Sequence, residues 1–280
     1  MKNIKMHIVF KMSILRGYYM ATKVFNKLIE SNPSIGCAIS TIVAEYDIHA
    51  AHASALYFIK GPELYNKLMK MDKLSRNTQI GLMMRDDPHL HEKIAALILK
   101  WFNNFCQVNN INESNFISST RDSLLLLNKK PIKTSFENGI VEFRNKEGEY
   151  TSYIRVKNME ILYDGMSNNM RIKGVSSEYV EGNQSFVKLF RQLLALVELS
   201  KNVPMNQVLK KANLIRNKYI DSKDPSLYAS IMDANKYVYI VDGERVISDT
   251  ILSNKNAVLV KSDNYINFFL PVMKICFKAH

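Results

Sequence analysis

The chain is short of cysteine, of acidic side chains and of long apolar runs, and each shortage removes a class of protein. Its three cysteines, Cys37, Cys106 and Cys276, are odd in number and far apart. That pattern fits neither a disulfide framework nor a zinc ribbon, and it points to a reducing compartment. No apolar run approaches the roughly 20 residues that a helix needs to cross a bilayer, so no membrane partner is expected. The charges in MKNIKMHIVFKMSILRGYYMATK stand too close together for a clean signal peptide. There is no internal repeat and no low-complexity linker. Asp and Glu total 26 against 38 Lys and Arg, a formal net charge of +12, with a sequence pI near 9.4. Such a balance favours polyanionic partners, nucleic acid first. A merely basic protein without such a partner is the plain alternative.

What is present is enough apolar matter, 47% of 280 residues, to bury a core as one large domain or two small ones. Asn, Ile and Lys recur throughout, and their codons are rich in A and T. A viral or otherwise AT-rich genome is expected, and with it a cytoplasmic location, the host cytoplasm for a virus. Residues 22–44 read as a helix, a turn at Asn32-Pro33 and a strand-like run leading to Asp47. A short helix over ASALYFIK ends at Gly61-Pro62, and apolar spacing from Glu63 predicts one helix up to Asp86-Asp87-Pro88. HEKIAALILKWFNNFCQVNN is a further helix, with His89 and His91 read as a loop pair beside the Pro88 break. Four or five short strands follow, separated at Lys129-Lys130-Pro131, Asn138-Gly139, Lys146-Glu147-Gly148 and Asp164-Gly165. FVKLFRQLLALVELS and MNQVLKKANLIRNKYIDSK are helical, and strands are predicted over YVYIVDGERVIS, NAVLV and NYINFFL. The class is α+β, with a boundary near Glu181-Gly182.

Three segments, in order, have the content of a nucleotidyl-transfer site: YDIHAAHASAL with Asp47, KLSRNTQIG with Lys73, Arg76 and Asn77, and SSTRDSLLLL with Asp122. Such chemistry needs divalent ions, Mg²⁺ or Mn²⁺, held by carboxylate oxygens, and a cation facing the triphosphate. Two strand-borne aspartates supply the first, and a helix presenting Lys73 and Arg76 one turn apart supplies the second. The bland readings stay open beside these. Lys73 and Arg76 also suit the solvated face of an amphipathic helix, and Asp122 after Arg121 suits a surface ion pair. Asp86 and Asp87 suit a turn and cap, or a third metal partner. His49 and His52 could join Asp47 around zinc, but a further ligand at metal spacing is lacking.

The same three segments resemble the palm and fingers motifs of family-B DNA polymerases. Asp47 falls on the metal aspartate of motif A, D-x-x-S-L-Y-P-S-I, written D-I-H-A-A-H-A-S-A here, with Ser54 on its second serine. KLSRNTQIG fits motif B, K-x-x-x-N-S-x-Y-G, at Lys73, Asn77 and Gly81. TRDS fits motif C, D-T-D-S, at Asp122 and Ser123, and IKGV resembles the K-G segment at Lys173. The resemblance covers roughly residues 40–180. It implies a palm-like domain with reduced fingers over 1–180, a thumb-like or accessory region over 181–280, and two metal ions held by Asp47 and Asp122. Lys73, with Asn77 and Arg76, would bind the nucleoside triphosphate. The departures are specific. Thr120 replaces the first motif C aspartate, His52 stands where the family has a tyrosine that checks the sugar, and Ile80 replaces an aromatic residue. Asp47 and Lys73 are separated by only 26 positions, so the fingers must be minimal. No room precedes Asp47 for a proofreading exonuclease.

Basic and aromatic side chains alternate over Phe136–Tyr163, including Arg144, Lys146, Arg155 and Lys157, and Lys210, Lys211 and Arg216 share one later helix. These could grip primer-template DNA, or be the polar faces of an ordinary sheet and an ordinary amphipathic helix. Two further function classes follow. One is a catalytically degenerate palm, binding nucleic acid within a larger replication or transcription complex. The other is a basic binding module with no polymerase ancestry.

Overall fold

The computed structural model describes residues 22–278. Residues 22–29 are not the helix that their spacing predicts. Lys23 is buried, held by Glu30 at 2.7 Å and Glu113 at 3.0 Å, and the Asn103 side chain brackets Phe25, accepting from its N–H at 2.7 Å and donating to its carbonyl at 3.2 Å. Long-range bonds thus occupy groups that a helix would have paired internally. The chain then forms β1 (Glu30–Ser31), turns at Pro33 and enters β2 (Cys37–Ile48), the run that carries Asp47.

Ala50, at φ 50, turns the chain out of β2 into α1 (Ala51–Lys60). Gly61, at φ 99, ends that helix, and Pro62 opens α2 (Pro62–Met69) where its missing N–H has no helical partner to lose. The one helix expected up to Asp86 is therefore two. The Asp72 carboxylate accepts from the N–H groups of Leu74 at 2.9 Å and Ser75 at 3.0 Å, and so starts α3 (Lys73–Asp86) afresh. In α4 (Pro88–Val108), His89 and His91 lie in the first turn and not in a loop, and Leu90, Ile94, Ile98, Trp101, Phe102 and Phe105 bury one stripe.

The strands that follow are β3 (Phe116–Ser119), β4 (Ser123–Leu127), β5 (Ser135–Phe136), β6 (Val141–Val156), β7 (Met159–Asp164) and β8 (Asn169–Lys173). Among the described residues the main sheet runs β1-β3-β4-β2-β6-β7-β8, antiparallel throughout, with β5 beside β6. The break expected at Lys146-Glu147-Gly148 falls inside β6. There the pairing with β2 jumps from Ala44↔Glu149 to Tyr46↔Asn145, so the extra residues bulge out while the strand continues.

β2 lies between β4 and β6, and its two faces meet different neighbours. Ala44, Tyr46 and Ile48 pack with α1 and α4, where Phe105 stacks on Phe143 of β6 at 4.0 Å between ring centroids. Val43 packs on the other side with Ile117, Leu125, Tyr150, Tyr153 and Leu162. The sheet curls enough for Arg171 and Lys173 of β8 to reach Glu45 of β2, across two intervening strands.

The rest of the chain comprises α5 (Ser177–Gly182), α6 (Gln184–Leu199), α7 (Met205–Ile220), a small antiparallel sheet of β9 (Tyr237–Val241), β10 (Glu244–Ser248) and β11 (Ala257–Leu259), and α8 (Leu270–Lys278). The predicted strand over NYINFFL is a π-helical turn, Tyr265–Phe269, running into α8. Phe268 and Phe269 are buried against Phe186 and Phe190 of α6, and that packing overrides the strand-like composition. One apolar cluster joins α6, α7 and α8 to Ile154, Ile161 and Ile172 of the main sheet. No helix among the described residues is long and apolar enough to cross a membrane.

Candidate functional site

Asp47 stands in register with Ser123 of β4 on one side and Arg144 of β6 on the other. Asp122 is not strand-borne as expected; it occupies the tight turn between β3 and β4. Its carbonyl accepts from the Ile48 N–H at 2.8 Å, and the Thr120 N–H closes the turn onto the Ser123 carbonyl at 2.9 Å. The ladder that zips β2 to the hairpin therefore brings the two aspartates together.

Both line a cavity of about 560 Å³. Its opposite wall is α3, which presents Lys73, Arg76, Asn77, Ile80, Gly81 and Met84, a stripe at helical spacing in which only Ile80 is buried. His52 enters from the first turn of α1, Arg121 from the hairpin turn and Lys146 from the bulge of β6. Four cationic side chains thus surround two carboxylates. Neither Asp86 nor Asp87 reaches this cavity: Arg85 holds the first at 3.1 Å and Lys60 the second at 3.8 Å.

Burial, then the adjacent Asp122 charge, raises the Asp47 carboxyl above the ordinary carboxylate range, and Lys146, 3.6 Å from Oδ2, pulls the other way. Burial lowers the His52 ring below the ordinary histidine value against the pull of Asp122, so it is uncharged at neutral pH. His49 is also lowered, by burial and by Arg144, whose Nη1 lies 3.1 Å from its Nδ1.

Asp47 Oδ1 is buried and has no hydrogen-bond partner. Such an oxygen is costly to leave unpaired, and beside Asp122 it suits a hard divalent ion, Mg²⁺ or Mn²⁺, bound through two carboxylates with water and substrate phosphates completing the shell. Among the described residues no three His, Cys, Asp or Glu side chains are grouped to hold a metal by themselves. Because a metal ion displaces the proton from its ligand, a Mn²⁺ ion held by this pair would bind more tightly as pH rises and Asp47 ionises, above the ordinary value of 3.8. Lys146→Met, which removes the cation opposing that shift, is expected to move the rise to higher pH, as read by calorimetric titration at several pH values.

The basic residues named from the sequence separate in space. Arg144 is exposed and bonded to Glu142 at 2.6 Å, next to the cavity through His49. Arg155 is committed internally, donating to the carbonyls of Asn32 at 2.8 Å and Ile117 at 3.3 Å. Lys157 reaches Asn267 at 3.1 Å. Lys173 lines a second cleft beside α5 and is bonded to Glu45 at 2.9 Å; Gly174 follows at φ 95, where a Cβ would stand 2.9 Å from the Asn158 carbonyl oxygen. Lys210, Lys211 and Arg216 are exposed on α7. Arg121 and Glu45 escaped the sequence reading of the site, and Lys146 entered it only among the alternating basic residues of the hairpin region. Lys146 needed the β6 bulge, which composition does not reveal, whereas Glu45 was signalled by its place two residues before Asp47, on the same face of β2.

Fold and site together define an α+β protein whose central antiparallel sheet and short helices enclose a carboxylate-and-cation cavity. The chain belongs to the bacteriophage PBS1 gene 130 protein family, whose model matches residues 20–278. It has no match among curated proteins. Membership of a phage family agrees with the viral origin expected from the abundance of Asn, Ile and Lys.

Proposed function

We propose that the cavity is a nucleotidyl-transfer site, and that the chain is a template-directed nucleotidyltransferase related to family-B DNA polymerases. The observation that carries this reading is convergence: Asp47, Asp122 and the Lys73, Arg76, Asn77 stripe, drawn from three separate segments, line one cavity. Asp47 and Asp122 would hold Mg²⁺ or Mn²⁺, which when bound activates the attacking hydroxyl and offsets the charge of the departing pyrophosphate. Lys73 and Arg76 bind the triphosphate from the α3 side, Asn77 adds a hydrogen bond, and the uncharged His52 ring borders the space for the sugar. Arg144 lies near enough to meet the nucleic acid, and Lys210, Lys211 and Arg216 offer exposed charge to a phosphate backbone. The expected setting is the cytoplasm of an infected host, on primer-template DNA.

A second reading has its own support in Thr120, whose hydroxyl is tied to Ser123 where the polymerase family carries another carboxylate. The chain would then be a catalytically degenerate palm that binds nucleic acid as a subunit of a replication or transcription complex. Primer extension by the purified chain with Mg²⁺ or Mn²⁺ separates the two. Extension supports the first, and salt-sensitive binding without extension selects the second. In either case affinity for a primer-template is expected to fall with salt. Replacing Lys210, Lys211 and Arg216 by alanine is expected to reduce the log–log slope by about one for each phosphate no longer neutralised, measured by fluorescence anisotropy.

A further inference from the structure

Glu45 is 2% exposed, yet it carries a charge. Its carboxylate accepts from Ser123 Oγ at 2.7 Å, from Lys173 Nζ at 2.9 Å and from Arg171 Nη1 at 2.7 Å. Burial alone would raise this carboxyl, but the two cations and the hydroxyl outweigh it and hold the group below its ordinary value. A buried ionic cluster is seldom the most stable way to fill a core, since apolar side chains of similar volume pack there at no desolvation cost. Its retention is better explained by what it holds in place.

What it holds is the turn that carries Asp122. Ser123 Oγ, donating to Glu45, also lies 2.6 Å from Thr120 Oγ1, and Thr120 closes the turn through its own N–H. Glu45 thus reaches both ends of the three-residue turn by two successive hydrogen bonds. Asp47 sits on the same face of the same strand, two residues on. One rigid strand therefore positions one carboxylate directly and the other through two hydroxyls.

We propose that Glu45 is a positioning residue for the Asp47–Asp122 pair, acting through Ser123 and Thr120 on the turn that presents Asp122. What the pair does rests on the nucleotidyl-transfer reading; how the pair is placed rests on these hydrogen bonds alone. Residues that orient metal ligands in this way typically change metal affinity or activity by about 10–100-fold when removed.

The test uses the full chain and three variants, Glu45→Gln, Ser123→Ala and Ser123→Thr. Ser123→Ala keeps the Glu45 ion pairs, so it decides the question even where Glu45→Gln, which leaves Arg171 and Lys173 without their counter-charge, does not fold. Three quantities are read: amide hydrogen exchange over residues 118–124, Mn²⁺ affinity by calorimetry, and kcat and KM for primer extension. Ser123→Ala is expected to speed exchange at the turn and to lower Mn²⁺ affinity and kcat by about 10–100-fold with the nucleotide KM unchanged. Ser123→Thr, which restores the hydroxyl, is expected to return all three to parental values. Parental exchange and Mn²⁺ affinity in Ser123→Ala would overturn the proposal. A parent chain that neither binds Mn²⁺ nor extends primers, but whose turn loosens in Ser123→Ala and recovers in Ser123→Thr, would sink the nucleotidyl-transfer reading and leave the placement of Asp122 by Glu45 standing.

Discussion

Asp122→Asn is expected, on the nucleotidyl-transfer reading, to lower primer extension by about a thousandfold, since it would remove several kcal/mol of metal-borne stabilisation from the transition state. The substitution keeps the side-chain volume and the main-chain bond from Ile48 to residue 122, so the hairpin turn stays in place. What disappears is a charge. Because the Asp122 charge is one of the causes that raise the Asp47 carboxyl, Asp47 in the variant is expected to ionise at lower pH. A carboxyl held above its ordinary value costs stability as it ionises, so relieving that shift favours the folded state once pH exceeds the ordinary carboxylate range. The variant should therefore unfold at the parental temperature or slightly above it while its extension rate collapses. Extension that persists undiminished would remove Asp122 from the site.

The second large effect concerns stability. Phe105→Ala is expected to destabilise the chain by about 3–5 kcal/mol, lowering the unfolding midpoint by roughly 10 °C for a chain of this size. Phe105 is fully buried, stacks on Phe143 and touches Tyr46 and Phe136 at about 6 Å between centroids. It therefore supports two adjacent strands, β2 and β6, from the α4 side. Removing it leaves a void that neither the sheet nor the helix can close without breaking the ladder between them. Phe105 does not line the cavity, so the expected signature is a lower midpoint in thermal or denaturant unfolding with the parental fold kept below that midpoint.

These two residues illustrate what could be read from the sequence. Asp47, Asp122, Lys73, Arg76 and Asn77 were singled out by their order and local wording, and the cavity contains them all. Glu45 and Lys146 were harder, since their roles depend on pairing. Lys146 meets Asp47 only because β6 bulges opposite Ala44 and Tyr46, and no local pattern reports a register that is settled between segments distant in the chain. The elements that misled did so for similar reasons. Lys23 and Phe25 are held out of a helix by Asn103, Glu113 and Ile111, and Phe268 and Phe269 are captured by α6, so tertiary partners decide both against local preference. The split at Asp72 is different: an aspartate before Lys-Leu-Ser is a helix start that composition does announce.

The cavity also has walls of unequal stiffness. Asp47 belongs to a strand paired on both sides and backed by α1 and α4, whereas α3 contributes a single buried side chain, Ile80, to the rest of the molecule. Local opening is cheapest where little apolar surface must be re-exposed. The side that carries the carboxylates is accordingly the stiffer, and the side that carries Lys73 and Arg76, anchored by Ile80 with Met83 and Met84 partly buried beside it, is the cheaper to open. A polyanion entering between them would gain its orientation from the sheet and would confer order on the helix, so its affinity is reduced by the entropy lost in stilling that helix.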